Sequence, residues 1–350
     1  MYKLIIRPLL FLFSPETAHL ITLKFLKISR HIPLCRTFIK WCFAPKIKGL
    51  EKEVFGLTFK NPVGLAGGLD KNADMADDMA YFGFSFVEVG SLTPKPQNGN
   101  PAPRCFRLPR DKAIINRMGI NNKGVSYAAS MLKNRKHKVL VAANITKNAT
   151  TPNDKAYKDF EKSFAILYDF VDFFVLNISC PNVENLTELQ DIKVLTEIIE
   201  HINTVRRFND DHRPVLLKVS PDIPFEQLDE IINVLLQSGI EGIVATNTTR
   251  RRDNLQTASK TVDAMGNGGL SGAPLFDRSL EFVKHIHEKT QGILPIIACG
   301  GIMTPQQALK MLDAGASLIE IYTGFIYNGP AFIKQINKYI AKEYAARRIL

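Results

Sequence analysis

The chain has no Cys-x-x-Cys pair, no Gly-x-Gly-x-x-Gly fingerprint and only one tryptophan. Its five cysteines, Cys35, Cys42, Cys105, Cys180 and Cys299, are odd in number and scattered, which speaks against a disulfide framework or a cysteine zinc site and fits a reducing compartment. The missing glycine fingerprint counts against a dinucleotide-binding Rossmann domain. The seven histidines are dispersed, and His285-x-His287 reads as a helix surface, so no metal site is expected. Residues 1–13 are apolar, but Arg7-Pro8 divides them and the run is too short to span a bilayer. With no small-residue cleavage site after it, a secretory signal is not expected. Acid is also scarce at this end: residues 1–50 hold nine Lys or Arg against Glu16 alone, a net of +8, leaving +3 of the total +11 for everything that follows.

That charge distribution argues against a nucleic-acid footprint spread over the molecule, which remains the lesser alternative. Basic residues interleaved with Leu, Ile and Phe suit a helix lying on an anionic bilayer, where each cation adds about 1 kcal/mol. Ser14-Pro15 predicts a helix start, with Ser as cap and Pro at the first helical position. Ala18, Ile21, Phe25 and Ile28 form one apolar stripe, widened by Leu20 and Leu26. Pro33 should stop this helix, and Thr37 to Phe43 reads as a second, shorter one. Residues 1–48 are therefore expected to form a small helical surface-docking domain ahead of a body spanning 49–350.

The body is ordinary globular sequence: the chain of 350 residues is 45% hydrophobic and 23% charged, enough to bury a full core. From residue 54 onward, short apolar runs alternate with amphipathic helical patterns. Eight strands are predicted: Val63 to Ala66, Phe86 to Val89, Val139 to Ala143, Phe173 to Leu176, Val215 to Leu217, Gly242 to Ala245, Pro295 to Ala298 and Leu318 to Ile321. A helix from Pro305 to Ala314 has Thr304 as cap and Gly315 past its end. Eight strands with helices between them point to an α/β (β/α)8 TIM barrel, with a doubly wound open sheet as the runner-up.

Chemistry in such a barrel collects where the strands end. The predicted tips are Gly67-Gly68, Gly90-Ser91, Asn144, Asn177, Lys218, Thr246-Asn247-Thr248, Gly300-Gly301 and Tyr322-Thr323, nearly all glycine or hydrogen-bonding side chains. Gly300-Gly301 and Thr323-Gly324, helped by Gly268 to Gly272, could present backbone N–H groups to a phosphate. Lys218 ends an apolar strand, where an unpaired cation is costly, so an anion should face it. A flavin whose reduced form is negative near N1 would serve, and so would a structural salt bridge. Asn177-Ile178-Ser179-Cys180-Pro181-Asn182 places two carboxamides, a hydroxyl and a thiol in one turn, and a thiol of ordinary pKa near 8.5 can act as a general base in helpful surroundings.

Gly67-Gly68-Leu69-Asp70-Lys71, Asn116-Arg117-Met118-Gly119, Asn177 to Asn182, Ala245 to Thr249, Gly269-Leu270-Ser271-Gly272 and Tyr322-Thr323-Gly324-Phe325, in this order along the chain, resemble dihydroorotate dehydrogenase. The helix opened by Ser14-Pro15-Glu16-Thr17-Ala18-His19 is similar to that of the class 2, quinone-linked branch. The resemblance implies FMN in the barrel mouth and oxidation of dihydroorotate to orotate in pyrimidine synthesis. It implies FMN contacts from Gly67, Gly68, Lys71, Ser91, Asn144, Asn177, Lys218, Thr246, Gly272, Gly301, Tyr322 and Thr323. Substrate would be held by Lys71, Asn116, Arg117, Met118, Gly119, Ile120, Asn177, Asn182, Asn247 and Thr248. Cys180 would be the base taking the C5 proton, and His19, Arg107 and Tyr322 would line a quinone tunnel. A monomer, peripheral on the cytoplasmic side of the cell membrane, is the implied state.

Two positions depart from the class 2 pattern. Cys180 stands where serine is usual, cysteine being the class 1 habit, and Ile120 stands where an aromatic residue is common. A thiol base is expected to move the activity profile to lower pH than serine would. A class 1 enzyme using fumarate or NAD and a catalytically idle membrane-docking barrel are the competing readings; the basic amino-terminal segment with His19 argues against the first, and the full set of polar tips against the second.

Overall fold

The computed structural model describes residues 1–29, 31–136, 139–179 and 189–349. Cys180 and Asn182 lie outside the described residues. After a π-helical turn at Tyr2–Ile6 come α1 (Arg7–Phe11), α2 (Pro15–Ser29) and α3 (Pro33–Phe43). Ser14 caps α2 as expected, its Oγ accepting from Thr17 N at 3.2 Å. α3 begins four residues before the predicted Thr37, because Pro33 occupies the first turn, where its missing N–H has no helical partner to lose.

The body opens with a two-stranded antiparallel hairpin, β1 (Lys52–Val54) and β2 (Leu57–Phe59). Next come β3 (Val63–Leu65), β4 (Phe86–Leu92), β5 (Cys105–Leu108), β6 (Ala113–Asn116), β7 (Leu140–Ile145), β8 (Phe173–Asn177), β9 (Val215–Val219), β10 (Gly242–Ala245), β11 (Gly269–Gly272), β12 (Ile296–Cys299) and β13 (Leu318–Ile321). Eight of these close a parallel barrel in the order β3-β4-β7-β8-β9-β10-β12-β13 and back to β3. They coincide with the eight predicted strands, so the barrel displaces the open-sheet alternative. The helix at Pro305–Asp313 is also where it was expected, with Thr304 Oγ1 accepting from Gln307 N at 3.1 Å.

Side chains of alternate strand residues enter the barrel, and this period of two builds it in layers. The lowest layer contains Phe86, Phe173, Leu216, Val244, Ile297 and Leu318, all fully buried. The β1–β2 hairpin plugs the barrel floor with Phe59, whose ring meets Phe86 edge-on at 5.3 Å and Phe173 at 6.2 Å. Two residues on from Phe86, Ala142, Val175, Leu216 and Leu318 the interior turns polar: Glu88, Asn144, Asn177, Lys218 and Glu320.

β5, β6 and β11 form a second, antiparallel sheet that the sequence reading did not anticipate. β5 and β6 belong to the connection after β4, and β11 to the connection after β10. The sheet therefore stands on the C-terminal face, beside the barrel mouth.

α2 packs against β5, and ion pairs tie the amino-terminal helices to the body: Arg104–Glu16 at 3.0 Å, Lys27–Asp74 at 3.1 Å and Arg36–Asp78 at 3.7 Å. The expected stripe on α2 divides. Ala18 and Leu26 are buried, while Leu20, Ile21, Phe25 and Ile28 are exposed, because the helix presents different flanks to the barrel and to solvent. Of the eighteen exposed large hydrophobic residues found, fifteen lie within residues 1–41. Among the described residues no single helix is long and apolar enough to cross a membrane; Tyr2–Phe11 and Pro15–Ser29 pass that test only as a pair bent by 119°.

Truncating the floor plug, Phe59→Ala, is expected to remove about 3–5 kcal/mol of stability. Chemical denaturation checks it, and a loss below about 1 kcal/mol would mean that the hairpin does not brace the barrel.

Candidate active site

The polar layer is organised by Glu88, which interrupts the apolar run Phe86-Val87-Glu88-Val89 and is fully buried. Its Oε1 accepts from Asn144 Nδ2 at 2.6 Å and from Lys218 Nζ at 2.8 Å. Glu320, on β13, also approaches the ammonium, with Oε2 3.6 Å from Nζ. Burial alone would push the Lys218 pKa down, but the two carboxyls push it well above its ordinary value, so lysine stays charged. The anion facing Lys218 in the structure is thus a pair of glutamates, the salt-bridge alternative raised for that position. Lys218, Asn144 and Ser91 also lie within their strands rather than beyond them, because the strands run two or three residues further than predicted.

Beside this cluster the carboxamides touch one another. Asn177 Nδ2 donates to Ser91 Oγ at 2.8 Å, and Asn247 Nδ2 donates to Ser179 Oγ at 3.0 Å and to Asn177 Oδ1 at 3.3 Å. Thr248 N donates to Asn247 Oδ1 at 2.8 Å, fixing that side chain at the end of β10. Four predicted positions from three strand ends, Ser91, Asn177, Asn247 and Thr248, are therefore in one network.

The glycines converge as well. A Cβ on Gly67 would come within 2.2 Å of Glu88 Oε1, and one on Gly301, at φ 75°, within 2.3 Å of Phe276 N. A Cβ on Gly272, at φ 101°, would come within 3.0 Å of Thr323 Cγ2, and Ser271 Oγ is 2.8 Å from Thr323 Oγ1. The loops after β11, β12 and β13 thus meet in a cradle that side chains would fill. Gly68 N donates to Gly90 O at 2.7 Å, and Lys71 Nζ donates to Gly68 O. Thr246 Oγ1 lies 3.0 Å from Ser279 Oγ.

Asn116 ends β6 and donates to Gly269 O at 3.4 Å. The following turn is pinned from outside: Arg117 donates to Pro103 O, Met118 O accepts from Asn100 N, and Gln97 Nε2 donates to the carbonyls of Gly119 and Ile120. Ile120 is buried at φ 56°, an uncommon conformation for a β-branched residue. Burial raises the Tyr322 phenol pKa, with Cys105 as a nearby influence; burial likewise lifts the Cys105 thiol to about 11. Arg107 turns toward the amino terminus, donating to Phe13 O at 2.7 Å with its guanidinium 4.3 Å from the Phe11 ring centre.

Asn144 Oδ1 is buried without a hydrogen-bond partner, and a Cβ on Gly67 would come within 3.3 Å of the same side chain's Nδ2. An orphaned acceptor next to backbone with no room for a side chain is the pattern of a site completed by a polar ligand. The residues implied to hold FMN fit such a group on these two observations. No group of three or more metal-ligating side chains occurs among the described residues, and His285 pairs with Asp229 at 2.7 Å. Glu88 and Glu320 were missed as site residues; their signal was an acid at the centre of an otherwise apolar strand.

A sequence profile of dihydroorotate dehydrogenase matches residues 49–344. The chain belongs to the dihydroorotate dehydrogenase family. It is 47% identical over 346 residues to a protein of Christiangramia forsetii named dihydroorotate dehydrogenase (quinone), covering 98% of this chain and 99% of that one. A protein of the same name from Coxiella burnetii is 43% identical, covering 96% of this chain and 95% of the other. The fold superimposes on a crystal structure of DHODH from Eimeria tenella in complex with ferulenol, with a TM-score of 0.80 and 34% identity, covering 90% and 92% of the two chains. These full-length matches to quinone-type dehydrogenases support the class 2 branch of the family.

His19 carries a pH signature. Burial, with help from Lys71 and against Asp74, lowers its pKa from 6.5 to about 4. Between those values the unfolded chain binds a proton that the folded chain refuses, so His19 makes stability fall as pH drops through the window, by up to about 3 kcal/mol. Burial raises Asp70 from 3.8 to about 6, which acts in the opposite sense over nearly the same range. Comparing thermal unfolding of the protein with that of His19→Gln separates the two. The variant is expected to lose less stability on acidification, and an unchanged slope would show that His19 is not held neutral.

Proposed function

We propose that this chain oxidises dihydroorotate to orotate in pyrimidine synthesis, with FMN as the hydride acceptor and a membrane quinone as the final electron acceptor. The observation carrying this reading is the network of Ser91, Asn177, Ser179 and Asn247 set beside the Asn144–Glu88–Lys218 cluster, in a chain that matches quinone-type relatives over nearly its whole length.

Gly67, Gly68, Lys71, Ser91, Asn144, Asn177, Lys218, Thr246, Gly272, Gly301, Tyr322 and Thr323 would hold FMN, its phosphate toward the cradle after β11, β12 and β13. Bound there, the flavin supplies the two-electron chemistry that no side chain offers. Lys71, Asn116, Asn177, Asn182, Asn247 and Thr248, with the Arg117 to Ile120 turn, would bind the substrate. A cation and several carboxamides suit the carboxylate and cyclic diamide of dihydroorotate. Cys180 would accept the C5 proton. His19, kept neutral by burial, would line the quinone path with Arg107 and Tyr322 without adding a charge to it.

Residues 1–48 are assigned as the membrane-docking unit and 49–350 as the catalytic barrel, with the protein peripheral on the cytoplasmic face and monomeric. Exposed Leu4, Leu9, Phe25, Phe38 and Trp41 share this unit with exposed Lys3, Lys24, Lys40, Lys46 and Lys48, the mixture of apolar and basic groups that a lipid interface favours.

Anaerobic dihydroorotate is expected to bleach the flavin of the purified protein, and a soluble quinone to restore the colour faster than fumarate or NAD. Failure to bleach would reject the substrate; faster reoxidation by fumarate or NAD would reject the acceptor. Cys180→Ser is expected to move the activity profile to higher pH, because a hydroxyl is a weaker acid than a thiol, whose ordinary pKa is about 8.5, and reaches its basic form only at higher pH; an unmoved profile would exclude Cys180 as the base. Trp41→Ser should weaken binding to anionic vesicles by about 2 kcal/mol, roughly thirtyfold, and added salt should weaken the wild type. Sedimentation with vesicles measures both, and unchanged binding would remove the docking role from this face.

A further inference from the structure

The inner wall of the barrel carries more acid than its one cation balances. Glu88 from β4, Lys218 from β9 and Glu320 from β13 converge in one polar layer, with Cys299 of β12 paired in register with Glu320. Glu88, Lys218 and Glu320 are at most 5% exposed. With both carboxyls ionised, a net negative charge would be sealed in a region of low dielectric, which is costly. Two acids beside a single ammonium avoid that cost by keeping one proton.

The hydrogen bonds say which acid keeps it. Glu88 Oε1 accepts twice, from Asn144 at 2.6 Å and Lys218 at 2.8 Å, as an ionised carboxylate does. Glu320 accepts no hydrogen bond at either oxygen, and its Oε2 is 3.6 Å from the ammonium. Glu88 Oε2 is buried and lacks a donor.

We propose that Glu320 is a neutral carboxylic acid in the working protein, donating its proton to Glu88 Oε2, and that it thereby acts as a positioning residue for Asn144 and Lys218. Its O–H supplies the donor that Glu88 Oε2 lacks. Burial and the Glu88 charge both raise the Glu320 pKa, outweighing the opposing pull of Lys218. Burial raises Cys299 too, keeping it a thiol. The layer is then neutral as a whole, with Glu88 anchored on its two donors. The consequence for a flavin rests on the function proposed above: the group would sit over a neutral cluster rather than a negative one. The protonation itself does not depend on that reading.

The test is infrared spectroscopy of the purified full-length protein carrying carboxyl-13C glutamate, at about pH 8, where ordinary glutamates and Asp70 are ionised. A label-sensitive C=O band of a protonated carboxyl is expected in the wild type and is expected to vanish in Glu320→Gln. It should vanish also in Glu88→Gln, where Glu320 becomes the sole counter-ion of Lys218 and ionises. In Glu320→Gln the flavin midpoint potential should stay where it was, since one neutral side chain replaces another. Absence of the band from the wild type would overturn the proposal, and that measurement needs no variant to fold. So would persistence of the band in Glu320→Gln, or a raised potential there, the sign of a lost negative charge. A protein that shows the band but binds no flavin would refute the function proposed above and leave this assignment standing.

Discussion

The arrangement at the barrel mouth depends on one oxygen. Glu88 Oε1 accepts from both Asn144 and Lys218, and it occupies the space that a side chain at Gly67 would need, 2.2 Å from the Cβ position. One acceptor on β4 thus constrains residues on β7 and β9 and the turn after β3. A buried acceptor shared by two donors resists displacement, because moving it leaves two polar groups without partners in a region that water does not enter. The glycine at 67 follows from the same constraint: the backbone there approaches a carboxylate too closely for any other residue.

The amino-terminal helices are attached on a different principle. Glu16, Lys27 and Arg36 reach the body through charge and hydrogen bonding, Arg107 of the body reaches back to Phe13 O, and Tyr2 OH donates to Ile326 O at 2.6 Å. Partly exposed ion pairs each contribute little, on the order of 1 kcal/mol or less. Several are needed, and they are spread from Tyr2 to Arg36. Beside these polar contacts the helices bury only one flank, at Ala18, Leu26 and Ile39, which leaves much of their apolar surface uncovered.

The eight barrel strands were legible because parallel strands are buried on both faces and read as unbroken apolar runs. Their tips were legible for the complementary reason: polar residues end each run. The sheet of β5, β6 and β11 escaped notice because its strands are four residues long, mix polar with apolar side chains, and pair across more than 150 residues between β6 and β11. No local pattern encodes such a pairing. Lys218 was recognisable as a cation needing an anion, yet its partners stand on β4 and β13, and closure of the barrel rather than proximity in sequence brings them together. Asp70 sat inside a recognised motif, but its work, accepting from the N–H groups of Asp74 at 2.8 Å and Met75 at 2.9 Å, appears only in three dimensions.

The vertical order of the barrel follows from these pieces. Phenylalanines and aliphatic side chains close the floor, and the next layer up holds Glu88, Lys218 and Glu320. A packed apolar floor keeps water from entering beneath the polar layer, so charges there interact through a poor dielectric. Weak screening makes the Lys218–Glu88 contact strong, and the same weak screening makes a second ionised acid expensive. The apolar floor therefore does more than stabilise the fold: by removing water from below, it sets the charge that the layer above can carry, and with it the electrostatic environment at the mouth.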